Sequence, residues 1–323
     1  MPTAPHQQSP HPVDGQSADG THARKRRRRR AASALPTLMT LGNLVCGFAA
    51  IYYASKPPET TSLFGWYSLT VAGALVFLGM LFDALDGSVA RLTRSTSDLG
   101  AQLDSLADVV TFGVAPAFMM LRLVSDYYGT AWGSLASADS NVHHGASILG
   151  PADSSYAKIL WAIAAFYLCS AALRLARFNV ENKSPKSDDH MYFKGLPSPG
   201  AGGTIGALVL LHQHLLFIRP DVEANIGFAR VAALGIPLVA LIVSIGMISS
   251  LPYVHFANQV LRARRSFTSL AKIVLPVTFL IWWPQEVLAI GFVAYALSGP
   301  ILWMWRGRRG AWGLAPQQDR TSP

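Results

Sequence analysis

"DALDGSVARLTRSTSDLGAQLDSLADVV", residues 83–110, lies between two long apolar runs, 69–82 and 111–124. Asp83, Asp86, Gly87, Ala90 and Arg91 stand at i, i+3, i+4, i+7 and i+8, which is one face of a helix. The polar run "TRSTSD" (93–98) breaks that helix, and Ser97 or Asp98 supplies an N-cap for the next one. Gly100, Asp104 and Asp108 then repeat every four residues, again on one face. The stretch therefore predicts two antiparallel helices joined by a short turn. Their acidic faces converge just inside an apolar layer.

The rest of the composition fits such a layer. Of the 323 residues, 51% are hydrophobic and 14% are charged, and the mean hydropathy is +0.30. That is the balance of a helical membrane protein, not of a soluble enzyme. The two cysteines, Cys46 and Cys169, sit in apolar runs and are too few for a zinc site, so both are expected to be buried thiols. Residues 1–32 form a polar, basic tail expected to be disordered, ending in "RKRRRRR" (24–30). Residues 33–306 form the membrane domain, and 307–323 a second tail. His143 and His144 fall in a long polar loop, 126–155, and are expected to be solvated.

A crossing needs about 20 mostly apolar residues. Eight candidates result: 35–54, 64–90, 99–124, 157–178, 201–218, 228–250, 270–283 and 287–305, the seventh short and bounded by Pro284. If the N-terminus is inside and crossings alternate, 22 of the 27 basic residues fall on the inner side. This is the positive-inside pattern, and it accounts for the net charge of +9 without nucleic acid. The expected orientation places the N-terminus and the 93–98 turn in the cytoplasm.

Like charges packed together in an apolar layer repel strongly, and carboxylates within a span are costly and usually functional. Hard divalent cations offset that charge, with Mg²⁺, Mn²⁺ or Ca²⁺ suited to oxygen ligands. Four carboxylates suit two ions roughly 3.5–4 Å apart, an arrangement used in phosphoryl chemistry. Gly87, Ala90 and Gly100 leave room for a phosphate-bearing ligand, and Arg91 offers a fork to bind it.

The spacing D-x2-D-G-x2-A-R-x8-G-x3-D-x3-D resembles the signature of the CDP-alcohol phosphotransferase family, with every fixed position present. The resemblance implies an all-α integral membrane homodimer with a six-helix core, here with two further C-terminal helices. It implies transfer of a phosphatidyl group from a CDP-linked lipid to an alcohol, releasing CMP. By the same resemblance, Asp83, Asp86, Asp104 and Asp108 hold two Mg²⁺ or Mn²⁺ ions on the diphosphate, and Asp108 also acts as the base. Gly87, Arg91, Ser97 and Gly100 look like nucleotide-binding positions.

Further stretches, among them "LPTLMTLGNLVCGF" (35–48), "LRLARFNV" (173–180), "FKGLPSPGAG" (193–202), "SSLPYVHF" (249–256) and "YALSGP" (295–300), resemble the bacterial membrane-embedded phosphatidylserine synthase branch. That resemblance implies CDP-diacylglycerol and L-serine as substrates, an enzyme of the bacterial inner membrane, and an active site facing the cytoplasm. Arg174 and Arg177 share a helix face, and Lys194 follows. Each can grip a serine carboxylate, or the two arginines can simply be helix-end cations. Thr40 and Asn43 can touch the nucleotide or make a helix–helix hydrogen bond. "GLPSPGAGG" (195–203) can be a rigid turn opening a helix or a substrate contact. The alternatives are the same chemistry on glycerol 3-phosphate, inositol phosphate or choline, an intramembrane prenyltransferase, or a divalent-cation transporter.

Overall fold

The computed structural model describes residues 17–57, 60–61, 65–93, 98–128, 155–181, 192–218, 222–254 and 278–310. The chain runs as α1 (Ser17–Ala54), α2 (Ser68–Thr93), α3 (Asp98–Asp108), a π-helical turn (Val109–Val114), α4 (Ala115–Tyr128) and α5 (Ser155–Glu181). It continues as β1 (Tyr192–Lys194), α6 (Ser198–Ile218), α7 (Val222–Ile248), β2 (Pro252–Val254) and α8 (Pro284–Gly310). The strands form one short antiparallel ribbon that pairs Phe193 with Tyr253. Among the described residues the remaining elements are helices, apart from an isolated bridge between Thr61 and Tyr67, as apolar segments in lipid must be to satisfy their own backbone. The chain is an all-α integral membrane protein.

Among the described residues, five helical stretches are long and apolar enough to cross a membrane: Leu35–Ala54, Ser68–Val89, Leu99–Ser125, Ala157–Val180 and Pro284–Trp305. α6 (Ser198–Ile218) and α7 (Val222–Ile248) are further apolar helices, α6 with Ala201–Ala207 buried throughout and α7 with the apolar stretch Leu234–Ile248 among its described side chains. The seventh expected crossing, 270–283, falls largely outside the described residues, as does most of the 126–155 loop.

Leu99–Ser125 is the central span, with 72% of its apolar window buried against 11–39% for the other four. α1 and α2 pack along each other, α6 lies against α2, α7 and α8, and α5 lies against α7. Phe112, Met119, Met120 and Leu123 of the central span meet Tyr167 of α5 and Ile205 of α6 in the core. The outward faces are apolar too: Leu38, Val45 and Phe48 on α1 and Trp161 and Leu173 on α5 are all exposed. Their solvent is lipid.

Two expectations need correction. Helix α1 starts at Ser17, so residues 17–32 of the expected disordered tail are helical backbone. Alanine and arginine are good helix formers, and they extend the span that follows. Cys46 is buried as expected, but Cys169 is exposed. It falls in the outward stripe of α5 that includes Phe166 and Leu173.

Candidate active site

The acidic end of the bundle is assembled from α1, α2 and α3. Carboxylate oxygens of Asp83, Asp104 and Asp108 all lie within 4.8 Å of one another. Asp86 lies beside Asp104, close enough for the two carboxyls to interact directly. All four sequence-selected aspartates thus converge. Asp86 and Asp108 are buried, and Asp83 and Asp104 are half-buried. Three carboxylates this close, with a fourth beside one of them, form a hard-oxygen donor set that fits a divalent cation.

The first helix braces this set. Thr40 Oγ1 donates to Asp86 Oδ2 at 2.9 Å, and Asn43 Nδ2 donates to Asp108 Oδ1 at 3.1 Å. Of the two roles open to Thr40 and Asn43, the structure shows the helix–helix bond, and its acceptors are the site's own carboxylates. Thr111 Oγ1 in turn donates to the Asn43 carbonyl at 2.9 Å, which fixes α1 against the π-turn directly after Asp108. On the other side, Tyr167 of α5 donates to the Phe112 carbonyl at 2.8 Å. A π-turn widens the helix and disturbs its regular bonding, so carbonyls there accept from neighbours; such turns cluster at functional sites.

Close approach is what lets Asn43 reach Asp108. A Cβ at Gly47 would stand 2.8 Å from the Thr111 Cα, and one at Gly79 would stand 2.6 Å from Thr111 Cγ2 and 2.9 Å from Asn43 Oδ1. Gly87 has the opposite surroundings: a Cβ there would meet nothing within 4 Å. The room expected beside Asp86 is present. Gly100 is half-buried in the first turns of α3. The backbone of Arg91 continues α2, but its side chain, like all of Ser97, lies outside the described residues.

Arg174 brings positive charge to the site. It projects from α5, donates from Nη1 to Ser198 Oγ at 2.7 Å, and interacts electrostatically with Asp108, Tyr295 and Asp83. Arg177 lies one turn further along α5 and is half-buried. Lys194 is the last residue of β1, paired with Pro252. Its side chain is outside the described residues. Ser198 and Tyr295 lie within the quoted stretches 193–202 and 295–300 without a role of their own there, and Thr111, a polar residue inside an apolar run, lies outside every quoted motif.

An open groove of about 380 Å³ runs between α3 and α5, lined by residues including Gln102, Ser105, Leu106, Val109 and Asn179. Asn179 Nδ2 donates to Ser105 Oγ there at 2.8 Å. At about 100° per residue these α3 positions face away from Asp104 and Asp108. The groove and the carboxylate cluster are therefore separate features.

An apolar bundle with four aspartates gathered at one end, in this spacing, is matched by one family. The CDP-alcohol phosphatidyltransferase sequence model matches residues 33–245. This chain belongs to that family. Among curated relatives, a CDP-diacylglycerol–serine O-phosphatidyltransferase of Helicobacter pylori is 28% identical over 269 residues, covering 83% of this chain and 90% of the relative. Proteins of the same name from Bacillus subtilis (30% over 182 residues, 56% of this chain and 78% of the relative) and Methanocaldococcus jannaschii (31% over 188 residues, 58% and 65%) also match. The family match contains all four aspartates, Thr40, Asn43 and Arg174, and ends before β2 and α8.

Proposed function

We propose that this enzyme transfers the phosphatidyl group of CDP-diacylglycerol to the hydroxyl of L-serine, forming phosphatidylserine and CMP. The observation that carries this is the four-aspartate cluster at one end of an apolar bundle, supported by relatives that bear the name of that activity. A substrate with acyl chains and a diphosphate suits such a place: the chains stay in lipid while the headgroup meets charge at the boundary.

Asp83, Asp86, Asp104 and Asp108 hold two Mg²⁺ or Mn²⁺ ions. When bound, these neutralise the diphosphate and the charge that develops as CMP leaves. Gly87 and Gly100 let the nucleotide approach the backbone, and Arg91 and Ser97 bind it. Thr40 and Asn43 act one step back, aiming Asp86 and Asp108. Asp108 accepts the serine hydroxyl proton, with its Oδ1 held by Asn43 and its other oxygen left to the substrate. Arg174 holds the serine carboxylate, with Arg177 and Lys194 adding positive charge nearby. The attacking oxygen is then delivered to the phosphorus next to diacylglycerol by binding at both ends.

The basic-residue asymmetry supports a cytoplasm-facing site and N-terminus in a bacterial inner membrane. The lipid-exposed apolar faces leave room for a homodimer. The test is a purified-protein assay in vesicles, following CMP release from CDP-diacylglycerol with a panel of alcohols. Serine-dependent release that stops in excess EDTA is the expected result. Release that requires glycerol 3-phosphate and ignores serine, or full turnover in EDTA, overturns the proposal.

A further inference from the structure

The contacts around Phe112 fix the level at which Arg174 enters the site. Tyr167, two turns before Arg174 on the same face of α5, donates to the Phe112 carbonyl at 2.8 Å. Beyond Arg174, Asn179 donates to Ser105 Oγ at 2.8 Å. α5 therefore runs antiparallel to the central span, and the two bonds bracket Arg174 on one helix and Asp108 on the other. α6 meets the same point, since a Cβ at Gly202 would stand 3.0 Å from Phe112 Cα. α6 is antiparallel to α2, with Gly206 beside Val76 and Leu210 beside Gly73, and so it runs parallel to the central span. Ser198 is one turn before Gly202, as Asp108 is one turn before Phe112. Asp108, Arg174 and Ser198 thus belong to one level of the bundle, where Arg174 Nη1 donates to Ser198 Oγ at 2.7 Å.

The turn that carries Ser198 is held from outside α6. Gly195 has φ +88, and a Cβ there would stand 2.6 Å from the Met247 carbonyl oxygen and 2.8 Å from that of Ser249. Only glycine fits that turn without strain. Its N–H donates to the Leu251 carbonyl at 2.9 Å, and that of Leu196 to the Gly246 carbonyl at 3.0 Å. The anchors Gly246, Met247, Ser249 and Leu251 lie in the last turn of α7 and just beyond it, after residue 245, where the family match ends. Ser198 is fully buried, and the Ala201 N–H closes the first turn of α6 on the Pro197 carbonyl at 2.9 Å. Its oxygen therefore has a fixed place, whereas an arginine side chain by itself samples many rotamers. A guanidinium is a planar fork of five N–H donors, so one bond to a fixed oxygen sets where the fork lies.

We propose that Ser198 is a positioning residue for the acceptor: its hydroxyl oxygen holds the Arg174 guanidinium at the level of Asp108, ready for the carboxylate of serine. This rests on the proposal that Arg174 binds the serine carboxylate, and deepens it. Ser198 acts through Arg174 and not on the substrate. Without it, binding serine must also order the arginine, and that cost falls on the affinity for serine. The segment after the family match thereby contributes to acceptor binding, through the turn it anchors.

The experiment follows serine-dependent CMP release in vesicles for wild type, Ser198→Ala, Arg174→Gln and the double variant. Alanine is smaller than serine and fits the buried position, and the KM for CDP-diacylglycerol together with a melting curve checks that the bundle is intact. Ser198→Ala is expected to raise the serine KM about tenfold, with the KM for CDP-diacylglycerol within about twofold of wild type. Arg174→Gln should lower the serine kcat/KM at least as far. Adding Ser198→Ala to Arg174→Gln should then change that value less than about twofold, because the two residues act as one unit. A serine that merely supported the fold would cost the same factor in both backgrounds. An unchanged serine KM in Ser198→Ala overturns the positioning role alone, as does an equal rise in both KM values or an equal loss in both backgrounds. A wild-type serine kcat/KM in Arg174→Gln overturns the role of Arg174 as well. Wild type that does not use serine overturns this proposal and the proposed function together.

Discussion

Replacing Asn43 by alanine tests how much of the chemistry depends on the first helix. The side chain is fully buried, and Nδ2 donates to Asp108 Oδ1 at 3.1 Å. The other amide atom, Oδ1, is buried with no hydrogen-bond partner. Truncation therefore removes one bond to a carboxylate and, with it, one unsatisfied acceptor. The backbone link from Thr111 to the Asn43 carbonyl survives, so α1 stays attached to the π-turn. A hydrogen bond to a charged group contributes roughly 1.5–3 kcal/mol. If Asn43 holds Asp108 in the geometry of proton transfer, most of that loss falls on turnover. At about 1.36 kcal/mol per factor of ten, kcat should drop about 12- to 150-fold. The melting temperature should move little, because losing the orphan acceptor offsets part of the small cavity. The assay is serine-dependent CMP release at saturating Mg²⁺, beside thermal melting in detergent. Asn43→Asp, which trades the donor for a further carboxylate, should be worse. A kcat for Asn43→Ala within twofold of wild type, in a protein that melts normally, would refute the positioning of Asp108 by α1.

Asp108→Asn should keep measurable CDP-diacylglycerol binding and lose about 10²–10⁴ in rate even at saturating Mg²⁺, whereas Asp83→Asn should weaken metal and nucleotide binding together. Calorimetric binding beside turnover across a Mg²⁺ titration separates the two, and recovery of Asp108→Asn by excess Mg²⁺ would remove it as the base. Gly79→Ala places a Cβ 2.6 Å from Thr111 Cγ2 and 2.9 Å from Asn43 Oδ1. Overpacking of this kind costs about 1–3 kcal/mol, so melting temperature and activity should fall together, and a variant as stable and active as wild type would contradict the close helix approach. A cysteine at Ser95, between α2 and α3 in the chain, should be labelled by a membrane-impermeant reagent in inside-out vesicles and not in intact cells; the reverse pattern would invert the proposed orientation.

By itself the sequence determined the class of the protein and the identity of its carboxylates. Hydropathy over about 20 residues decides that a segment lies in lipid. The 3.6-residue repeat decides that Asp83 and Asp86, and likewise Asp104 and Asp108, share a face, since both are properties of one helix and its immediate solvent. What the sequence left open depended on contacts between helices far apart in the chain. Local spacing leaves the roles of Thr40 and Asn43 undecided, because their acceptors, Asp86 and Asp108, lie 46 and 65 residues away. The π-turn after Asp108 reads locally as ordinary apolar helix, and its departure becomes visible through the bonds from Tyr167 and to Asn43. Cys169 sits in as apolar a run as Cys46, and the packing of α5 alone turned it outward. Arg174 reads from the sequence as a helix-end cation or a substrate ligand, and only the fold brings Ser198 within 2.7 Å of it. Tyr295 opens the quoted stretch 295–300, and only the packing of α8 on α6 sets its ring against Gly200. Apolar helices are interchangeable in hydropathy, and only the fit of side chains such as Phe292, Tyr295 and Tyr253 against Gly203, Gly200 and Gly299 chose the neighbour and the register.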